Sequence, residues 1–266
     1  MLFGGLTAKG LSSETWTWDG KRWLHLTPAH SPLARYNAAM AYDPRRQVIL
    51  LYGGRVLDQA EAAPGSDTWA WSGADWSEVS SRNNDPGGRD AARMVTADSE
   101  VLLFGGRDRS DVYQADAWTW DGTTWLRVDH GPTPEGRNDA TVAWNPVDRS
   151  LFVFAGFGNR PEAGGGNLGR PLRDAWALKD GAWTEIRAVG PPPTVNGGAL
   201  WDAASRRVVV LLGVVCPNPT AAAWAWDGAM WSQLPDVAVP ARWGAAIAQN
   251  GDGNILLFGG SNEVGC

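Results

Sequence analysis

ETWTWDGKRW, residues 14–23, places three tryptophans around an Asp-Gly pair. Residues two apart in a strand share a face, so Trp16 and Trp18 point the same way. Asp19 and Gly20 tolerate the positive φ of a tight reversal, and the stretch therefore reads as a hairpin that returns through Trp23. It recurs as DTWAWSGADW at 67–76, DAWTWDGTTW at 116–125, DAWALKDGAW at 174–183 and AAWAWDGAMW at 222–231. The first tryptophans of the five copies, Trp16, Trp69, Trp118, Trp176 and Trp224, lie 53, 49, 58 and 48 residues apart. Such spacing suits a four-strand unit with loops of variable length.

Each unit has four readable strands, named A to D in chain order. Strand A is a run of small residues such as YNAAMAY at 36–42, and strand B is steeply apolar and ends in glycine, as in VILLYGG at 48–54 and VLLFGG at 101–106. Turn residues lie between them, DPRR, DSE, NPVDR and NGDGN among others. Strand C carries the paired tryptophans and strand D opens on the third. Fourteen of the seventeen tryptophans belong to this trio, leaving Trp144, Trp201 and Trp243 outside it. Burying one such ring removes roughly 150–250 Å² from water, or about 4–6 kcal/mol at about 25 cal/mol per Å². Repetition at fixed offsets marks the trio as packing between neighbouring sheets, with a sugar platform left to any single ring that is exposed.

Composition agrees with an all-β chain. Thirty-three glycines and seventeen prolines break the sequence into short elements, and charged residues make up 20% of it. A formal charge of −6 and no Lys/Arg cluster argue against nucleic-acid binding. The longest apolar run, VVVLLGVV at 208–215, is far too short for membrane insertion as a helix. No secretory signal is visible at the N-terminus, which leaves localisation open between cytoplasmic and extracellular. Cys216 and Cys266 permit at most one disulfide, and His25, His30 and His130 have no ligand-like spacing, so no metal and no cofactor is expected.

An apolar run ending in Gly-Gly, then a variable loop, a tryptophan strand and a further tryptophan, resembles the kelch repeat over nearly the whole chain. The segments WTWDGTTW at 118–125 and GPTPEGR at 131–137 resemble bacterial kelch-type proteins in particular. Strand B departs from the pattern at Ala155-Gly156 and Leu212-Gly213, and Leu178 replaces a strand-C tryptophan. The resemblance implies a β-propeller of four-stranded antiparallel blades, a single domain over 1–266 truncated at one or both ends. MLFGG at 1–5 is a B strand without an A strand, and the chain stops after the B strand at 255–260. Six blade positions with incomplete terminal blades, or alternatively a five-bladed ring, would accommodate the count.

In an antiparallel unit the B-to-C and D-to-A connections emerge at the same end, and the former are long and variable, the usual seat of binding. At that end Arg35, Arg89, Arg137 and Arg242 occupy one position in four of five units, with Val195 in the other. Two readings stay open. Converging guanidinium groups would hold a carboxylate, phosphate or sulfate, or each arginine would brace a loop by pairing with an acidic residue such as Asp58, Glu61, Asp67, Asp108, Asp111 or Asp116. Asn37 and Asp139 read as satisfied polar groups. The glycine-rich AGGGNLGR at 163–170 lacks the lysine and hydroxyl of a phosphate-binding loop.

No nucleophile-elbow or zinc-protease motif is present, and the copper site of galactose oxidase and the Asp-box of sialidases find no residue-by-residue match. No catalytic residue is assigned. The expected function is a non-catalytic recognition scaffold for a protein or glycan; the alternative is an enzyme acting on a carbohydrate or anionic small molecule near the arginines.

Overall fold

The computed structural model describes residues 1–58, 61–80, 84–158, 169–191, 197–211, 222–235, 244–249 and 255–260. Val195, Cys216, Arg242, Trp243 and Cys266 lie outside the described residues, as do the side chains of Asp58 and Glu61. The chain divides into two compact units, Met1–Val128 and Asp129–Cys266.

Four sheets show the expected A-B-C-D order, every neighbouring pair antiparallel. In the first unit they are Ala39–Asp43, Val48–Tyr52, Thr68–Trp71 and Trp76–Glu78, then Arg93–Ala97, Glu100–Phe104, Ala117–Trp120 and Trp125–Arg127. The second unit holds Thr141–Asn145, Ser150–Phe154, Ala175–Lys179 and Ala182–Ile186, then Gly198–Asp202, Arg207–Leu211, Ala223–Trp226 and Trp231–Gln233. The first sheet of the chain has three strands, Leu2–Phe3, Thr15–Trp18 and Trp23–Leu26, and the last has two, Ala246–Gln249 and Ile255–Phe258.

The expected β-propeller, with six blade positions and incomplete terminal blades or alternatively as a five-bladed ring, is corrected by this topology. Among the described residues the strands form ten separate antiparallel sheets of two to four strands. None closes into a barrel or curls strongly. The physical reason is that repeat spacing specifies how one sheet packs on its neighbour, whereas closure depends on the rotation accumulated from sheet to sheet, which no residue spacing encodes.

Within each unit the D-strand tryptophan locks onto the sheet before it. Trp76 is buried edge-on against Phe3 at 5.1 Å between ring centroids, and its indole N–H donates to Thr15 Oγ1 at 3.0 Å. Trp125 repeats the arrangement against Tyr52 at 5.3 Å, donating to Thr68 Oγ1 at 3.0 Å. In the second unit Trp231 packs on Phe152 and Phe154. Each ring also meets the second strand-C tryptophan of its own sheet, as in Trp71–Trp76 and Trp120–Trp125. Trp125, Trp120, Tyr52, Leu50 and Leu103 belong to one buried cluster, and Trp76, Trp71, Phe3 and Leu51 to another.

Strand B ends at Tyr52, and the Gly-Gly pair that follows kinks the chain into a separate small sheet. Gly53 and Gly54 have φ of 62° and 88°, and opposite them Asn37 sits at φ 55°. Beyond the kink, pairing resumes between Arg35–Tyr36 and Arg55–Val56, and the next units repeat it between Arg89–Asp90 and Arg107–Asp108 and between Arg137–Asn138 and Phe157–Gly158. A Cβ on Gly54 would lie 2.8 Å from that of Ala38, and one on Gly106 would lie 2.9 Å from that of Ala92. This close approach gives the small residues of strand A their role: they face the glycine corner.

Candidate functional site

The loop end of each sheet is built on one repeated arrangement. Arg35 is 1% exposed, its Nη1 and Nη2 donating to the two oxygens of Asp67 at 2.7 and 2.6 Å. Its Nη1 also reaches Gly53 O at 2.8 Å, and its Nε reaches Leu33 O at 3.0 Å. Arg89 pairs in the same way with Asp116 and with Gly105 O. Arg137 pairs with Asp174 at 2.8 and 2.7 Å and with Ala155 O at 2.9 Å. Each carboxylate then accepts the indole N–H of the first strand-C tryptophan: Trp69 on Asp67, Trp118 on Asp116 and Trp176 on Asp174.

Burial pushes the carboxyl groups of Asp67, Asp116 and Asp174 up, but the arginine hydrogen bonds and charge, with the indole bond, outweigh it and hold all three below the ordinary carboxylate range. Planar two-point pairing is the strong form of ion pair. Here it ties the start of strand A, the glycine corner after strand B and the start of strand C of one sheet together. Arg242 lies outside the described residues.

The partners were only partly visible in the sequence. Asp67 and Asp116 stood among several acidic candidates, and Asp174 was not among them. The signal that finds all three is their place two residues before a repeated tryptophan. That place is filled by Glu14 in the first copy, where it accepts the N–H of Trp16 at 3.0 Å, and by Ala222 in the last. With Ala222 there, the N–H of Trp224 is buried and has no hydrogen-bond partner among the described residues.

Successive loop ends in the first unit are joined backbone to backbone. Gly5 N donates to Arg35 O at 2.7 Å, Gly54 N to Arg89 O at 3.0 Å, and Ala91 N to Asn37 O at 2.9 Å. The connections around this seam carry Leu6, Leu33, Leu57 and Val112, each 46–70% exposed. Three charged residues missed by the sequence reading also lie here: Arg55 and Arg107, each directly after a Gly-Gly pair, and the buried Asp90 between them. Asn37 and Asp139 both occupy the left-handed corner, at φ 55° and 50°.

Among the described residues no group of three or more His, Cys, Asp or Glu is placed to hold a metal, and no helix is long and apolar enough to cross a membrane. A sequence-family profile described as the KLHDC2/KLHL20/DRC7 Kelch-repeats domain matches residues 1–194.

Proposed function

Because this chain belongs to the kelch-repeat family, whose membership supports a protein-interaction surface in general, we propose that it is a non-catalytic scaffold that binds a protein partner through the loop end of its first unit. The observation that carries this reading is the exposure of four apolar side chains, Leu6, Leu33, Leu57 and Val112, on the loop connections, against Tyr42 and Leu126 elsewhere in the same unit. All four sit on B-to-C or D-to-A connections. Apolar groups gathered on loops held by a rigid frame favour recognition of a partner's surface. The buried arginine pairs support the reading from below, since they fix the loop ends before any partner arrives and reduce the ordering cost of binding.

The test is photo-cross-linking from cells producing the chain, with a photoreactive residue in place of Leu33 or Leu57 and, as control, Ala74 in the turn between strands C and D. The expected result is one discrete protein cross-linked from Leu33 and Leu57 but not from Ala74, and lost in a Leu57→Asp, Val112→Asp variant. Equal labelling from both ends would overturn the proposal. So would a glycan bound at the same loops with no protein captured.

A further inference from the structure

In an Asp-Gly pair a carboxyl side chain stands beside the least hindered of backbone nitrogens, because glycine has no Cβ. Four such pairs lie at the C-to-D turns: Asp19-Gly20, Asp121-Gly122, Asp180-Gly181 and Asp227-Gly228. Three are built alike. Asp19, Asp121 and Asp227 each accept, on Oδ1, the N–H groups two and three residues on, at 2.8–2.9 Å. Those backbone bonds hold their carboxyl groups below the ordinary range.

The turn in the fourth copy differs. Its Asp-Gly pair stands one residue later, after Lys179, and makes a two-residue turn between the paired Lys179 and Ala182, with Asp180 at φ 48° and Gly181 at 79°. The Asp180 side chain is exposed, and among the described residues no hydrogen bond or ion pair holds its carboxylate. Behind the other three turns stand two tryptophans in ring contact, Trp18–Trp23, Trp120–Trp125 and Trp226–Trp231. Behind this one stand Leu178 and the half-buried Trp183, and the returning strand Ala182–Ile186 is the outer edge of its sheet. The turn therefore has the weakest backing of the four and the one carboxylate that is at liberty to move.

We propose that Asp180-Gly181 is a modification site, at which aspartate converts spontaneously to isoaspartate through a cyclic imide. The Gly181 backbone nitrogen attacks Asp180 Cγ. The N–Cγ bond forms, a Cγ–O bond breaks, and the hydroxyl leaves with the amide proton as water. Water then opens the ring. Cleavage of N–Cγ restores aspartate, whereas cleavage between the nitrogen and the main-chain carbonyl carbon leaves the chain running through Cβ, with the α-carboxylate free. Water is the sole co-reactant, and nothing is oxidised or reduced. The carboxyl has to be protonated for its hydroxyl to leave and has to swing toward its own glycine; the three held aspartates are hindered in both respects. The product adds one carbon to the backbone of a two-residue turn. Because Gly181 O accepts the His130 N–H at 2.8 Å and Trp183 donates to Asp129 at 3.4 Å, lengthening the turn releases the connection that leads to Arg137.

The test incubates the folded whole chain in mildly acidic buffer and maps its peptides with electron-transfer fragmentation, which separates isoaspartate from aspartate at equal mass. Conversion is expected first at Asp180, at least about fivefold faster than at Asp19, Asp121 or Asp227, the factor that the restraint of one hydrogen bond gives. In urea the four pairs should react at comparable rates, since each then consists of the same two residues without a fold around them. Asp180→Glu, whose longer side chain closes a less favourable ring, should remove the product at that position and leave the other three rates unchanged. In isomerised chain the His130 amide should exchange faster than in the parent. Asn196 and Asn250 also precede glycine and lie outside the described residues, and their deamidation is told apart by its change of mass. Equal rates at the four pairs in the folded chain would overturn the proposal, and so would an unchanged order of rates in urea. Unaltered His130 exchange after isomerisation would overturn the consequence drawn for the connection.

Discussion

The two units follow one repeat but secure their sheets differently. In Met1–Val128, two D-strand tryptophans are buried on the preceding sheet and hydrogen-bonded there, Trp76 to Thr15 and Trp125 to Thr68. In Asp129–Cys266, the residues aligned with those threonines are Ala175 and Ala223. Trp231 packs on Phe152 and Phe154, among the described residues no hydroxyl meets its N–H, and Trp183 turns its N–H to Asp129 at 3.4 Å. The lesson is that a ring conserved within the repeat supplies bulk packing, while the hydroxyl beside it adds a separable polar lock.

The largest effect that would sharpen this comparison is truncation of the ring itself. Trp125→Ala should destabilise the chain by about 3–5 kcal/mol, as expected for a fully buried aromatic, and Trp183→Ala should cost less because that ring is only half-buried. Denaturant unfolding of both variants checks the order; equal losses would break the distinction. Next in size, Arg137→Ala leaves Asp174 without its partner. Removing one member of a buried pair costs about 3–5 kcal/mol, and partial exposure of Asp174 lowers the expectation to about 2–3 kcal/mol.

Acid should expose the same pairs. Asp67, Asp116 and Asp174 have carboxyl groups held below their ordinary range in the folded chain. Their contribution is therefore fully present above the unfolded carboxylate range, near about pH 4, and is lost as pH falls through the lower folded values. Urea midpoints measured between neutral pH and pH 2 should fall most steeply below pH 4, and Arg89→Met should flatten that fall by removing the partner of Asp116. The smallest effect belongs to the lock: Thr68→Val should cost about 1–2 kcal/mol by leaving the Trp125 N–H unsatisfied. Ala175→Val, changing an aligned position that carries no such bond, should show no matching loss of a hydrogen bond in the Trp231 indole N–H signal.

Much of this frame could be read from the sequence because it repeats. The Asp-Gly turns are hairpins in which Asp19, Asp121 and Asp227 accept two backbone N–H groups each, and Gly20, Gly122 and Gly228 take positive φ. The tryptophan trio showed its packing role by its offsets. Closure was not legible, because the rotation between sheets arises from side-chain volumes summed over whole interfaces. The glycine corner was legible as the end of strand B, but the separate sheet that forms beyond it was not, since Gly-Gly signals a change of direction without saying whether pairing resumes. At the loop end, the arginines were found by repetition, whereas Arg55, Asp90 and Arg107 escaped because repetition is what they lack. Ala222 was the overlooked clue to the braces: where the aspartate is lost, Val195 stands in the arginine's place in the sequence, as expected if the two residues serve each other.

The central claim is that the repeated arginines hold the frame through their aspartates, which leaves recognition to the loops above. A double-mutant cycle on Arg89 and Asp116, using Arg89→Met and Asp116→Asn in denaturant unfolding, tests it most directly. The account predicts a coupling of about 2 kcal/mol or more, within the range for residues sharing one buried network. A coupling near zero, with the two single losses simply adding, would contradict it.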